Sequence, residues 1–360
     1  MITLSCPVYS SYRVQQIAGM FDVPLAERAE RVVEFENPFN ESVADSAQFS
    51  DWKIGCIVGP SGSGKTSIAK HLFGEHYYPG NDWSSDQAVI DGFGDVPIKD
   101  IVRMLTVVGF SSPPGWIKPY SVLSNGEKFR CDLARALLNA DGRLQTAVCR
   151  WQSVVCFDEY TSVVDRDAAK IASAALSKGI KNGTISCRFV AVTCHYDILD
   201  WLEPDWVLDT ATGKVSRRLL RRPNIELEIF RCERSLWTMF KAHHYLSGNL
   251  SPSCRCYAAL WNGKPAAFCA LIPQQGFERW YRVSRIVTLP DYQGAGIGSA
   301  FLETLAQMYR GQGFRFSITA SHPSILSHCK RLRQWRAISI KKTGSDRSRG
   351  RAVVSFEYVP

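Results

Sequence analysis

A glycine-rich loop after a short apolar segment limits the fold of this chain more than any other sequence feature. Residues 52–58 read Trp-Lys-Ile-Gly-Cys-Ile-Val, a short, apolar and β-branched run that predicts a buried strand. The run continues into Gly-Pro-Ser-Gly-Ser-Gly-Lys-Thr at 59–66, which matches G-x-x-x-x-G-K-[ST] at every fixed position. A helix predicted over 65–73 follows this loop. A strand, a glycine loop and a helix in this order predict an α/β fold that binds nucleoside phosphates.

Two carboxylates farther along the chain complete the predicted nucleotide site. Residues 154–157 predict a second buried strand, and Asp158 and Glu159 follow directly at its end. We predict that Asp158 and Thr66 hold Mg²⁺, that Lys65 reaches the β- and γ-phosphates, and that Glu159 polarises the attacking water as a general base. For an isolated Asp-Glu pair, an acidic turn at the end of a strand is the alternative. The predicted phosphate-binding residues are Gly59, Pro60, Ser61, Gly62, Ser63, Gly64, Lys65, Thr66 and Ser67.

A short motif between these two segments adds a third feature. Leu-Ser-Asn-Gly-Glu at 123–127 precedes a helical pattern that extends to 138, and Ser124 and Glu127 have the spacing of a capping box. Such a cap exposes free backbone N–H groups to an anion. Because it lies between the two nucleotide motifs, this segment resembles the LSGGQ signature of ABC-type ATPases. By that resemblance the expected nucleotide contacts are Ser124, Asn125 and Gly126.

Two further segments agree with the ABC-type resemblance, which covers about residues 30–215. Residues 162–165 resemble the D-loop, and residues 191–195 resemble the strand that ends in the switch histidine, so His195 is expected to contact the γ-phosphate. The signature departs from the family pattern in reading Ser-Asn-Gly-Glu, residues around 139–152 look inserted, and Gln87 is a candidate for the Q-loop. The resemblance implies ATP, Mg²⁺ and a homodimer in which Ser124 of one chain faces Lys65 of its partner.

Charge is distributed unevenly along the 360 residues. Residues 1–220 contain 22 Lys and Arg against 26 Asp and Glu, whereas residues 221–360 contain 21 against 8, so their net charges are −4 and +13. This asymmetry favours two domains, 1–220 and 221–360, and points to a polyanionic partner such as nucleic acid for the second. A solvated basic surface or a basic tail at 341–351 is the alternative. The turn-rich and basic stretch at 211–223 marks the predicted boundary.

The second half contains another strand, glycine loop and helix in succession. Asn-Gly at 262–263 between two apolar runs predicts a β-hairpin, and a strand pattern at 280–289 leads into Gln-Gly-Ala-Gly-Ile-Gly at 293–298. A helical pattern over 300–309 and a strand pattern over 314–319 follow. A dinucleotide-binding loop is the alternative, but it requires G-x-G-x-x-G and an acidic residue about 20 positions later, and both are missing here.

This second loop resembles the (R/Q)-x-x-G-x-G/A loop of GNAT acyltransferases, which bind acetyl-CoA. The resemblance predicts an α/β GNAT fold for the C-terminal half. It also implies that the loop amides hold the CoA pyrophosphate and that the acyl carbonyl lies where the preceding strand separates from the next. The implied acetyl-CoA-binding residues are Gln293, Gly294, Ala295, Gly296, Ile297 and Gly298.

Acyl transfer to an amine requires a base for the amine proton and an acid for the leaving thiol. The sequence identifies no counterpart of the glutamate base that is usual in this family. Histidine suits the role because its ordinary pKa lies near 6.5, although a buried or helix-capping histidine is the alternative. Arg285 is expected to bind a substrate phosphate or carboxylate unless it is structural. The candidate catalytic residues of this half are His243, His244, Tyr245, Arg285, Ser321 and His322.

The order of the two halves carries its own resemblance. The whole chain resembles a prokaryotic and phage family in which an ABC-type ATPase is fused to an acetyltransferase. The second half of the chain, with His-Tyr at 244–245 near its start, is similar to the Mom DNA-modification proteins of phage. These resemblances imply an ATPase coupled to an N-acyltransferase that modifies an amine, with DNA as the expected partner. The alternatives are a protein or small-amine acceptor with ATP as a regulator, and a non-catalytic ATP-switched DNA clamp.

Hydropathy and cysteine usage give expectations about location. No run of about 18 apolar residues occurs, and the first residues lack a basic segment followed by an apolar one. Twelve cysteines, several of them within apolar runs, are typical of a reducing compartment when no export signal is present. We therefore expect a cytoplasmic protein with no membrane partner.

Overall fold

The computed structural model describes residues 1–23, 25, 28–39, 51–78, 80, 82–141, 154–217, 223–244, 249–342 and 352–359. The strands are β1 (Ile2–Pro7), β2 (Arg28–Val33), β3 (Ile54–Val58), β4 (Tyr77–Tyr78), β5 (Val154–Phe157), β6 (Arg188–Thr193), β7 (Trp206–Asp209), β8 (Lys214–Ser216), β9 (Glu228–Cys232), β10 (Arg255–Trp261), β11 (Lys264–Pro273), β12 (Trp280–Thr288), β13 (Arg315–Ala320), β14 (Trp335–Lys341) and β15 (Val353–Tyr358). The α-helices are α1 (Tyr12–Phe21), α2 (Lys65–Phe73), α3 (Ile98–Val107), α4 (Pro113–Trp116), α5 (Asn125–Asp141), α6 (Arg166–Lys181), α7 (Leu199–Leu202), α8 (Trp237–Phe240), α9 (Ile297–Gly311) and α10 (Pro323–Arg331).

The first half contains a six-stranded sheet in the order β4-β5-β6-β3-β7-β8. Its strands run parallel except for the β7–β8 pair, and β3 and β5 are buried along their whole length. Continuous apolar strands of this kind are typical of a parallel sheet that is covered on both faces. Since parallel strands end at one edge of the sheet, the segments after β3, β5 and β6 lie side by side. This edge holds the predicted nucleotide site.

The second half contains a seven-stranded sheet in the order β14-β15-β13-β12-β11-β10-β9. All neighbouring pairs are antiparallel except β12 and β13, which are parallel and joined by α9. The predicted hairpin joins β10 to β11, where Asn262 and Gly263 have φ values of 52° and 73°. These left-handed values are those of the turn that Asn-Gly favours. The prediction of two α/β domains is confirmed.

Three features of the second half differ from the sequence analysis. The apolar spacing at 236–245 also predicts a helix, but the described residues of this segment form only the single turn of α8 between two short 3-10 turns. Strands β14 and β15 follow β13, although the sequence analysis ended the sheet at 319. Strand β15 comes last in the sequence but lies between β13 and β14 in the sheet. Sequence reasoning gave no role to the segment that forms this strand.

Some predictions fall on residues outside the described ranges. The predicted domain boundary lies within 218–222, so it stays a prediction. Most of the inserted-looking stretch at 139–152 and most of the basic segment at 341–351 also lie outside the described residues.

Helix α6 packs between the two halves. Its apolar residues include Ile171 and Ala174, which are buried in a cluster with the second sheet, and Ala172, which is buried in the core of the first. The indole rings of Trp201 and Trp261, one from each half, meet edge to face at 5.6 Å. A helix that is apolar on all sides must be covered on all sides. The two halves are therefore held together by a continuous apolar interface.

Candidate active site

The loop between β3 and α2 has the backbone geometry that phosphate binding requires. Gly62 and Gly64 have φ values of 75° and 93°, which side chains with a Cβ rarely adopt. Gly64 is the N-terminal cap of α2, and no side chain caps the helix, so its first N–H groups point into open space. The Lys65 ammonium donates to the Pro60 carbonyl at 2.7 Å and therefore lies folded over the loop. These features fit a nucleoside triphosphate.

The two residues predicted to hold Mg²⁺ lie together. The Thr66 hydroxyl donates to Asp158 Oδ2 at 2.9 Å, and the Tyr77 hydroxyl donates to the same oxygen at 2.6 Å. Burial and this hydrogen bond raise the pKa of Tyr77, so the phenol stays protonated. A hydroxyl and a carboxylate oxygen are ligands that Mg²⁺ accepts. The arrangement therefore fits the metal, and Tyr77 is a neighbour that the sequence analysis missed.

Glu159 and His195 occupy the same edge of the sheet. Glu159 has a φ of 50°, and its exposed carboxylate accepts a hydrogen bond from the Ser162 hydroxyl at 2.6 Å. Burial lowers the pKa of His195, and the nearby Arg166 and Lys65 cations lower it further. The carboxylates of Asp197 and Glu159 oppose this shift. His195 is therefore neutral near pH 7. The roles of both residues in hydrolysis stay predictions.

The capping box predicted at the start of α5 is confirmed. The backbone N–H and the hydroxyl of Ser124 both donate to Glu127 Oε2, at 3.0 and 3.1 Å, and the Glu127 N–H donates to the Ser124 hydroxyl at 3.3 Å. Ser124 and Asn125 are exposed, as a contact with a second chain would require. Gly126 instead faces the second domain, because a Cβ placed on it would lie 2.7 Å from Asp291 Oδ1. The Q-loop candidate Gln87 lies against Gly92.

The glycine loop of the second domain has a backbone geometry that resembles that of the first loop. Gly294 and Gly296 have φ values of 89° and 103°, and Gly296 caps α9 without any side-chain cap. Strands β12 and β13 pair from Trp280 to Val283 only, so they separate before the loop begins. A β-bulge in the pairing of β11 with β12 accompanies this separation. Open amides beside separating strands fit the acyl-CoA site that the resemblance implies.

A cavity of about 910 Å³ opens at this point, between the two domains. Its walls come from α3 and α6 of the first domain and from β12, β13, the glycine loop and α10 of the second. The described lining residues include no Asp or Glu. Five of them are permanently cationic, namely Lys99, Arg103, Lys178, Arg285 and Arg331. The cavity therefore suits a ligand with several negative charges.

Three of the predicted histidines line this cavity. Burial lowers the pKa of His243, so its half-buried ring is neutral near pH 7 and can accept a proton. His244 lies edge to face against Trp237 at 5.8 Å. His322 caps α10, because its Nδ1 accepts from the Ser324 N–H at 3.3 Å, and its Nε2 lies 3.1 Å from the Ser111 carbonyl oxygen of the first domain. These contacts favour a positioning role for His322.

The other predicted residues of the second domain are placed as follows. Arg285 lines the cavity and donates to the Ser284 carbonyl at 2.8 Å, so its guanidinium is held close to the strand. Ser321 does not belong to the cavity lining. Tyr245 lies outside the described residues. Within the acyl-CoA loop, Ala295 is buried and Ile297 and Gly298 begin α9.

The Gln293 side chain serves the interface between the domains. Its Oε1 accepts a hydrogen bond from the Ser111 N–H of the first domain, and its Nε2 donates to the Thr288 carbonyl at 2.8 Å. Its backbone N–H donates to the Pro290 carbonyl at 3.2 Å, so the amides of the loop that remain for a ligand follow Gln293.

Sequence reasoning missed the contribution of the first domain to this cavity. Lys99, Arg103 and Lys178 lie on helices of a domain whose motifs all concern nucleotide binding, and no local pattern marks them. It also assigned no role to residues 1–30, although β1 and β2 form a small antiparallel sheet beside the first glycine loop. Arg31 of β2 donates to the Gly62 carbonyl at 2.8 Å.

No group of three or more His, Cys, Asp or Glu side chains is arranged to hold a metal ion among the described residues. None of the helices described is both long and apolar enough to cross a membrane.

The sequence of the second domain matches a known family. Residues 220–326 match the model of the acetyltransferase (GNAT) family. No curated protein is similar enough to the whole chain to count as a match.

Solved structures resemble each half separately. The ribosomal-protein-S18-alanine N-acetyltransferase from Escherichia coli is 17% identical, with a TM-score of 0.31 over 37% of this chain and 93% of its own. An acetyltransferase from Bacillus subtilis in complex with CoA is 13% identical, with a TM-score of 0.32 over 38% of this chain and 99% of its own. A dimeric bacterial ABC transporter cassette is 15% identical, with a TM-score of 0.36 over 47% of this chain and 86% of its own. The chain thus combines a GNAT acetyltransferase domain, matched by sequence, with an N-terminal α/β domain that resembles an ABC cassette at low identity.

Proposed function

We propose that the protein is an acyl-CoA-dependent N-acyltransferase whose reaction takes place in the cavity between its two domains. The observation that carries the proposal is the combination of the uncapped amides at the start of α9 with a cavity whose described lining residues include five cations and no carboxylate. Acyl-CoA carries several phosphate charges on its nucleotide end and a thioester at the other. The amides and cations suit the phosphates, and the separation of β12 from β13 leaves room for the thioester.

His243 is the group we assign as the base. When bound, acyl-CoA supplies a thioester carbonyl carbon, to which the amine nitrogen forms a new C–N bond while the C–S bond breaks. The neutral ring of His243 takes the proton that leaves the amine, and the sulfur leaves as a thiolate that is protonated from solvent or from a cavity side chain. Two observations support this role: His243 lines the cavity, and burial lowers the pKa of its ring. The Arg285 guanidinium holds the acceptor molecule by binding the anionic groups of that molecule.

The first domain binds ATP and Mg²⁺ under this proposal. Lys65 and the loop amides bind the triphosphate, Thr66 and Asp158 hold the metal, and Glu159 and His195 orient the attacking water. The exposed Ser124 and Asn125 contact nucleotide held by a second copy of the chain, which makes the active form a homodimer. Support for this comes from the bonded pair of Thr66 and Asp158 and from the confirmed cap of α5.

We propose nucleic acid as the acceptor because the second half carries a net charge of +13. Such a charge binds phosphate backbones and makes the affinity fall steeply with salt. A base amine inside a duplex is inaccessible until the base is extruded. Nucleotide-driven movement of the first domain would give ATP a purpose in that step.

The test is mass spectrometry of nucleosides from duplex DNA exposed to the protein, acetyl-CoA and Mg-ATP, with ATP omitted in parallel. The proposal predicts a nucleoside whose mass increases by one acetyl group, formed faster with ATP. The variant Lys65→Ala should then behave as the wild type does without ATP. If CoA is released with a protein or polyamine acceptor while the DNA stays unmodified, the proposal of a nucleic-acid acceptor is wrong and the proposal of an acyltransferase stands.

A further inference from the structure

Lys178 of α6 projects from the first domain toward the acyl-CoA loop of the second. Between 171 and 180 every residue of α6 is buried except Lys178, which is exposed to the cavity. A Cβ placed on Gly296 would lie 3.7 Å from the Lys178 ammonium. Gly296 is the residue from which α9 begins with uncapped N–H groups. The ammonium and the helix terminus therefore direct positive charge to one point.

Two more cations of the first domain face the same cavity. Lys99 and Arg103 lie one helical turn apart on α3, and both side chains are exposed where they line the cavity. The Arg103 guanidinium donates to the Thr184 carbonyl at 3.3 Å, which fixes its direction. Arg331 of α10 contributes a cation from the second domain. A ligand in this cavity therefore meets positive charge from both domains.

The domains approach so closely here that the backbone of the loop lies directly against the first domain. A Cβ on Gly294 would lie 2.5 Å from the Ala175 Cβ, and a Cβ on Gly109 would lie 2.7 Å from the Gln293 carbonyl oxygen. Both glycines have positive φ values, 89° and 88°. Backbone packing thus sets the position of the loop relative to the helix that carries Lys178.

We propose that the first domain forms part of the acyl-CoA site, with Lys178 binding the pyrophosphate and Lys99 and Arg103 binding the phosphorylated ribose end. This inference rests on the proposed acyltransferase function and adds a ligand contact that the acetyltransferase domain alone does not contain. These three cations can strengthen binding only of a ligand that carries several phosphate groups. A thioester that lacks the nucleotide end should therefore bind equally well with and without them.

The test compares Lys178→Gln with the control Lys181→Gln, both made in the full chain. Lys181 lies one turn later on α6, is paired with Glu203 at 2.8 Å and does not line the cavity, so both variants lose one charge from the same helix. Binding of acetyl-CoA and of S-acetylpantetheine, which lacks the nucleotide phosphates, is measured by isothermal titration calorimetry. We expect Lys178→Gln to weaken acetyl-CoA binding about tenfold, to leave S-acetylpantetheine binding unchanged, and to be rescued in part by Lys178→Arg. Lys181→Gln should match the wild type for both ligands.

The outcomes separate this inference from the function on which it rests. If the wild type binds and turns over acetyl-CoA and Lys178→Gln binds it equally well, the inference is wrong and the acyltransferase stands. If the wild type binds neither ligand, the proposed function itself fails. An equal loss for both ligands would also overturn the inference, because the defect would then not depend on phosphate. Should Lys178→Gln fold poorly by circular dichroism, Arg103→Gln replaces it with the same expectations for the two ligands.

Discussion

The protonation of His243 decides how the proposed reaction depends on pH. Burial lowers the pKa of this histidine, so its ring is neutral above the ordinary value near 6.5 and becomes protonated only in more acidic solution. We expect kcat/KM to be flat near neutral pH and to fall only at a pH lower than the ordinary histidine pKa, as the base becomes protonated. His243→Gln should lower kcat/KM by about a hundredfold or more and remove this acidic limb. Loss of the limb in His244→Gln or His322→Asn instead would show that the base is assigned wrongly.

The buried Arg130 makes Asp291 a test of the interface. The Arg130 guanidinium is fully buried and lies 3.4 Å from the half-exposed Asp291 carboxylate of the other domain. Burial lowers the pKa of Arg130, and Asp291 opposes that shift. Asp291→Ala leaves this cation without its counter-charge, so we expect it to cost about 2 kcal/mol of unfolding free energy in urea, less than the ~3–5 kcal/mol of a fully buried pair.

The matched control for Asp291→Ala is Lys264→Ala, which removes the exposed ion pair with Asp167 across the same interface. The Lys264 ammonium stays in contact with water although Asp167 is partly buried, so the pair contributes little to stability and this variant should unfold at close to the wild-type urea concentration. Equal losses in the two variants would mean that Arg130 does not need Asp291.

At the scale of elements, the junction between the glycine loop and α6 depends on the absence of a Cβ. Gly294→Ala forces a left-handed φ of 89° on alanine and brings its methyl group within 2.5 Å of the Ala175 methyl. We expect a loss of about 1–3 kcal/mol in stability and weaker acetyl-CoA binding, because the loop must move from α6. The control is Gly311→Ala at the end of α9, where a Cβ meets nothing within 4 Å. Acetyl-CoA binding as tight in Gly294→Ala as in Gly311→Ala would contradict this account.

Local sequence predicted the elements whose signals are local. Strand β3, the loop at 59–66 and α2 follow from an apolar run, a fixed motif and a helical pattern, and the structure starts α2 at Lys65 as expected. The capping box of Ser124 and the turn at Asn262 were also predicted, since each depends on residues no more than a few positions apart. A motif whose residues all lie in one loop can be predicted from that segment of the sequence alone.

The remainder depends on contacts between distant segments. Nothing in the sequence of β15 indicates that it lies between β13 and β14, because strand order is set by packing of the completed sheet. Lys178 falls in a helix whose pattern reads as core, and its position over Gly296 exists only once the two domains have packed. Tyr77 likewise meets Asp158 only through the parallel pairing of β4 with β5.

At the scale of the molecule, two helices run from the predicted nucleotide-binding motifs to the second domain. Helix α6 begins at Arg166, beside His195, and lines the cavity near its C-terminal end, at Lys178. Helix α5 begins with the exposed cap of Ser124 and contacts Asp291 through Arg130. We expect that a ligand that fixes these two helices at one site reduces the order that the ligand at the other site must impose.

We therefore expect Mg-ATP to tighten acetyl-CoA binding about fivefold and acetyl-CoA to tighten Mg-ATP binding by the same factor, as linkage requires. Calorimetric titrations in both orders measure the two factors. Lys65→Ala should remove the effect of ATP and leave the basal acetyl-CoA affinity. Unchanged affinities in both orders would show that the helices do not couple the sites.

The most direct test of the central claim is release of the free CoA thiol from acetyl-CoA. It is measured alongside acetyl-CoA binding, with DNA, a basic protein and a polyamine offered as acceptors. The account predicts saturable binding and thiol release that depends on an acceptor, and much slower release by His243→Gln with binding retained. Saturable acetyl-CoA binding without thiol release for every acceptor would contradict it, because the cavity would then bind acyl-CoA without transferring the acyl group.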